Sequence, residues 1–237
     1  WLIIASHKGW PVSTTHSIIG ALIGFGVVSS GVSHIQWWNI MQIGLSWLIC
    51  PVLSGLLAWF CFKTIQFYVL SHIDPIRRAE YFVSASLAVL LFGIFTFLLV
   101  MAAMVNVLYF VFVLLVSSAS FVAVRRLLYM KNSRILPYRV QCQRAEQLFG
   151  RLALVTACLM AFAHGANDVA NAIGPMVSVV DILNYGYLPA QSEVPFWVLL
   201  WGASGVVLGL AMFGAKIIAS VGTKITRLSP SRSFSAQ

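Results

Sequence analysis

Apolar residues in this chain come in long runs, and nearly all charge falls in the short segments between them. A membrane-spanning helix needs about 20 consecutive apolar residues, and five regions supply them. Residues 17 to 35 read "SIIGALIGFGVVSSGVSHI", rich in Gly and Ser, and residues 39 to 62 are richer in Trp and Leu. Residues 81 to 124 carry no Lys or Arg, which is too long for one crossing and predicts two, joined near Asn106. Residues 152 to 180 and 195 to 221 complete the set.

Composition agrees with that pattern. Of 237 residues, 60% are hydrophobic and 9% charged, with a mean hydropathy of +0.91, whereas soluble domains are about 25% charged. Lipid is therefore the solvent for most of the chain, and the predicted class is an all-α, polytopic helical membrane protein. The net charge of +9 lies in short inter-span segments and forms no stripe on a soluble domain. It reads as topogenic charge, not as a nucleic-acid footprint. Cys50, Cys61, Cys142 and Cys158 have no metal-ligand spacing and read as free thiols acting as small hydrophobes.

Lys and Arg also set sides. Residues 125 to 151 hold Arg125, Arg126, Lys131, Arg134, Arg139, Arg144 and Arg151 against Glu146, which predicts a cytoplasmic loop. A hairpin over 81 to 124 places Lys63, Arg77 and Arg78 on that same side. The segment 181 to 194 has two acids and no base, so 152 to 180 is expected to cross the membrane an odd number of times.

That crossing contains "HGANDVANAIGP", residues 164 to 175. Burying an aspartate at the centre of a span costs roughly 2.5 to 3.5 kcal/mol, so Asp168 is the sharpest functional candidate. Asn167 and Asn171 lie four apart around it, and these hard oxygen donors suit a small cation. Gly165, Gly174 and Pro175 predict a broken or re-entrant helix there. The bland readings are a capping role for Asp168 at the membrane surface and interhelical bonding for Asn171.

A second polar cluster, "PVSTTHS" at 11 to 17, has the signature of a helix start. A helix N-terminus lined by hydroxyls suits an oxyanion such as phosphate, although the same residues also serve as ordinary caps. His16 is a further candidate, as anion ligand, proton shuttle or plain polar neighbour. No Lys or Arg falls in the apolar parts of 17 to 35, 81 to 124 or 152 to 180. An anion near Asp168 would need a mobile cation, or a proton on Asp168, to offset the negative charge. Half-helix ends facing anion and cation at the membrane midplane are a secondary-transporter pattern.

The two stretches "GANDVANAIGP" (165 to 175) and "GWPVSTTHSIIGALIGFG" (9 to 26) together resemble the inorganic phosphate transporter family, the Pit-type sodium- or proton-coupled symporters. The resemblance implies an inverted-repeat fold in which each repeat has a GANDxAN-like segment followed later by a PVSTTH-like one. Here one copy of each stands in reverse order. The expected organisation is 1–62 as the end of the first transmembrane repeat and 63–124 as a cytoplasmic loop plus helical hairpin. The basic cytoplasmic loop would be 125–151, and 152–237 the start of the second repeat, so the chain is expected to be a fragment of a longer polypeptide. By resemblance, Ser13, Thr14, Thr15, Asn167 and Asn171 bind phosphate, Asp168 and Asn167 bind the cation, and His16 is a less certain member.

The function expected is cation-coupled symport of inorganic phosphate with sodium or protons, with no cofactor, no transition metal and no nucleic-acid partner. The expected location is a bacterial inner membrane, and homo-oligomer formation is left open. Alternatives are a symporter of another oxyanion such as sulfate, a non-transporting receptor or scaffold, and an intramembrane enzyme using Asp168 with His164 or His16. The absence of a second intramembrane acid or an activated nucleophile argues against the enzyme. Gly20 with Gly24, and Gly205 with Gly209, read as small-xxx-small helix-packing pairs.

Overall fold

The protein is described here from a computed structural model covering residues 1–102, 106–129, 135–189, 192–224 and 229–237. Those residues are helical, with turns between, and include no strand. The helices are α1 (Leu2–Lys8), α2 (Thr14–Ser30), α3 (Trp37–Ile65), α4 (Pro75–Met101), α5 (Val107–Leu128), α6 (Tyr138–Tyr185), α7 (Phe196–Lys224) and α8 (Pro230–Ala236). All four cysteines are free thiols.

Five of these helices are long and apolar enough to cross a membrane: α3 with its π-helical extension to Leu70, then α4, α5, α6 and α7. The predicted crossing at 17–35 is corrected. Helix α2 has 17 residues, about 26 Å at 1.5 Å per residue, short of a hydrocarbon core of about 30 Å. It ends because Gly31 takes φ +88°, a conformation that L side chains rarely adopt, and a short 3₁₀ turn, Val32–His34, follows.

The chain forms two compact units. The first comprises 1–49 and 159–227. In it α1 stops at Gly9, which is left-handed at φ +72°, its N–H donating to the carbonyl of Ser6. Lys216 of α7 donates its ammonium to the carbonyl of His7, placing a cation at the negative end of α1. Residues 10–13 then carry the chain into α2, so the interrupted helix expected of this fold lies at α1–α2.

It does not lie at 164–175, where a break was predicted: α6 runs unbroken from Tyr138 to Tyr185 with Pro175 inside it. Apolar packing offsets the proline. Ile173 and Val177 are buried against Val198 of α7, with Val169 beside them, and opened backbone at membrane depth would cost several kcal/mol per unpaired group. Helix α7 approaches closely there because Gly202 has no side chain: a Cβ at that position would fall 2.2 Å from Ile173 Cγ2. Among the described residues, Gly20, Gly24, Gly205 and Gly209 have nothing within 4 Å of such a Cβ, so the close helix approach within this chain is made at Gly202 and not at the predicted pairs.

The second unit comprises 50–158 and 228–237. Helices α4 and α5 pack as the predicted antiparallel hairpin, and Asn106 caps α5 by accepting from the Leu108 N–H. Its core gathers Ile65, Val69, Ala79, Ala145 and Phe149, with Phe82 and Phe234 packed on it. Residues 138–151, expected as part of a loop, are the first turns of α6. The Tyr138 hydroxyl donates to the Leu70 carbonyl at 2.5 Å. Glu146 accepts from the Ser231 N–H at 2.9 Å and its hydroxyl at 2.8 Å, so a carboxylate holds the positive N-terminal end of α8.

Candidate functional site

The site is built from one face of α6 over residues 164–171 and from the first turn of α2, both in the first unit. Helical spacing puts His164, Asp168 and Asn171 on one face, at i, i+4 and i+7. His164 Nε2 lies 3.3 Å from Asp168 Oδ2. The Asn171 amide donates to Asp168 Oδ1 at 3.4 Å and to Thr15 Oγ1 at 2.8 Å. Two polar segments 156 residues apart in sequence are therefore joined through one side-chain amide.

The start of α2 follows from its sequence. Ser13 is extended and accepts from the His16 N–H at 3.2 Å, and the Ser17 hydroxyl donates to the Ser13 carbonyl at 2.9 Å. Ser13 thus uses its side chain as a cap. The N–H groups of Thr14 and Thr15 have no helical acceptor by position, and because Thr15 accepts from Asn171, its hydroxyl proton is directed elsewhere. Pro175 has no N–H to give to the carbonyl of Asn171, the residue four before it, which leaves that carbonyl an acceptor without its helical donor.

Ser13 apart, which caps α2, the predicted residues separate into three groups. Thr15, Asp168 and Asn171 are brought together, all half-buried. Thr14 and Asn167 are exposed, and Asn167 is one residue, about 100°, round α6 from Asp168. His16 lies against α3, its ring 3.8 Å from that of Trp47. From the sequence, His164 is a candidate only as an acid or base. Its i, i+4 spacing from Asp168 was the available signal, although a pair in which the His side chain is 71% exposed contributes little to stability.

Chemically, the face presents a carboxylate, an amide and a hydroxyl at the positive end of a short helix. Among the described residues, the basic side chain within 4 Å of the Asp168 carboxylate is the His164 imidazole, at 3.3 Å. Hard oxygens suit a small cation, and open N–H groups with a hydroxyl suit an oxyanion.

The family model described as "Phosphate transporter family" matches residues 1–237. A candidate phosphate permease of Haemophilus influenzae is 38% identical over 249 residues, covering 100% of this chain and 58% of that protein. The chloroplastic inorganic phosphate transporter 2-1 of Arabidopsis thaliana is 34% identical over 273 residues, 100% of this chain and 45% of that one. A solved structure described as the sodium-dependent phosphate transporter aligns with a TM-score of 0.83 and 33% identity, over 99% of this chain and 58% of its own. The chain thus spans less than three fifths of the length of each of these three proteins. Helices of spanning length and these relatives together make it part of an integral, multi-pass membrane protein. With the family model matched from end to end, the chain belongs to the phosphate transporter family.

Proposed function

We propose that the complete protein carries inorganic phosphate across the membrane in symport with a cation, and that sodium is that cation. The observation that carries this reading is the Asn171 amide bridging Thr15 at the start of α2 to Asp168 on α6. Any group that binds at the helix start is felt by the carboxylate through a single side chain. In this reading Thr14 and Thr15 supply N–H and hydroxyl donors to phosphate, Ser13 shapes the turn, and Asn171 orients the anion. Asp168 and Asn167 hold the cation, Asn167 from the exposed side, and His16 closes the site against Trp47. The cation offsets the charge of Asp168, so phosphate and cation bind best together; such mutual enhancement is what couples their movement.

Sodium is favoured over protons because the aligned solved structure is described as sodium-dependent. The membrane proposed is a bacterial inner membrane, in keeping with the Haemophilus relative, with the basic segment 125–151 in the cytoplasm. Residues 1–62 and 152–237 are proposed to belong to two successive repeats, separated by 63–124 and 125–151.

The test is radiolabelled phosphate uptake by the complete protein in cells lacking their own phosphate carriers, with excess unlabelled sulfate added. Phosphate uptake that sulfate leaves unchanged is expected. Equal competition by sulfate would make the protein a general oxyanion carrier, and no uptake would leave a receptor or scaffold.

A further inference from the structure

The α4–α5 hairpin carries its basic side chains at one end. Arg77 and Arg78 stand in the first turn of α4, Arg125 and Arg126 in the last turn of α5, and the exposed flanks between are apolar. A cavity of about 340 Å³ opens at that end, lined by His72, Asp74, Arg77, Arg78, Tyr81 and Arg125. Three guanidinium groups face one carboxylate there, and Asp74 is engaged by Arg77, at 3.6 Å from Nε to Oδ2 and through the Arg77 N–H. Arg125 lies 5.5 Å from the centre of the Tyr81 ring and Arg77 5.8 Å from that of Tyr129, contacts that hold the guanidiniums in place. Arg78 reaches His72 Nε2 at 3.2 Å.

What distinguishes this place from a general basic patch is its continuation. Arg125 also lines a second cavity, of about 310 Å³, with Phe121 and Val122. Those two residues in turn line a third, of about 420 Å³, running along the helix seam beside Val89, Phe92 and Leu114. A track leads from a cationic mouth into an apolar groove within one helical hairpin. A small anion would use only the mouth, whereas an amphiphile with an anionic head matches both parts.

We propose that this end of the hairpin binds one anionic phospholipid, its phosphate on Arg78 and Arg125 and an acyl chain along the seam between α4 and α5. The proposal is independent of the transport reading, since these residues lie in the second compact unit and share no side chain with the candidate site.

The test uses the full-length protein in detergent, with bound lipid counted by native mass spectrometry. Phosphatidylglycerol, phosphatidylcholine of the same acyl chains and inorganic phosphate are titrated separately. Phosphatidylglycerol should bind in preference to phosphatidylcholine. The pair Arg78→Gln with Arg125→Gln should weaken phosphatidylglycerol about thirtyfold, roughly five- to sixfold per basic residue at an anionic surface. Arg78→Lys with Arg125→Lys, which keeps the charge, should stay within about fivefold of wild type, and Arg139→Gln, elsewhere in the basic segment, should change nothing. Wild-type affinity in the Gln pair would overturn the proposal, as would equal loss in the Lys pair, which would mean packing. Displacement of phosphatidylglycerol by millimolar inorganic phosphate would equally overturn it, as the mark of a small-anion site.

Discussion

Cutting the Asn171 bridge tests whether the two polar segments act as one site. In Asn171→Ala the bond to Thr15, 2.8 Å long, is lost, and a well-formed neutral hydrogen bond contributes about 1 kcal/mol net. The bond to Asp168 is at 3.4 Å, near the limit of useful geometry, and adds a few tenths at most. Alanine is a better helix former than asparagine by about half a kcal/mol, so α6 itself should not suffer. With any direct contact to the anion added, the phosphate KM should rise about tenfold, equivalent to about 1.4 kcal/mol. Thr15→Val should act similarly. Were the two independent, the double variant would lose about a hundredfold; with a shared bond of about 1 kcal/mol, the loss should stop near twentyfold. The assay is the concentration dependence of phosphate uptake at matched surface expression. A hundredfold loss in the double variant, or no loss in either single one, would refute a bonded bridge between α2 and α6.

Two further substitutions probe the scaffold. Gly202→Ala should cost about 1–3 kcal/mol, because the new methyl meets Ile173 Cγ2 at 2.2 Å and β-branched Ile has little rotamer freedom in a helix; a lower melting temperature, relieved by Ile173→Ala in the same chain, is the expected readout. Glu146→Ala removes both bonds to Ser231 and should weaken the docking of α8 by about 2–3 kcal/mol, seen as faster proteolysis after residue 228 with α4 and α5 still protected.

Much of the helical plan is legible in the sequence because lipid leaves few alternatives. A run of apolar residues without charge must be a helix if it spans, which is why α3, α4, α5, α6 and α7 fall where the runs do and why Asn106 marks the turn of the hairpin. Asp168 and Asn171 are legible for the complementary reason, since polar groups at such positions need a purpose. The errors concern what a local pattern cannot report. Pro175 and two glycines argued for a break in α6, but the packing of Ile173 and Val177 on α7 belongs to another part of the chain. Gly205 and Gly209 have the right spacing yet meet no neighbour among the described residues, whereas Gly202 lacks a partner in the pattern and has one in space. Helix α2 looked long enough until Gly31 took a positive φ. The direct link from Thr15 to Asn171 depends on how α2 docks on α6, and no periodicity encodes that.

The central claim is that Asp168 holds the coupling cation for phosphate. Its most direct test is initial-rate phosphate uptake by the complete protein with sodium present or replaced by choline, in wild type and in Asp168→Asn at equal surface expression. Uptake should require sodium in wild type and fall at least a hundredfold in the variant, whose amide keeps the shape and loses the charge. Uptake that ignores sodium, or an Asp168→Asn protein that still shows wild-type sodium dependence, would contradict it.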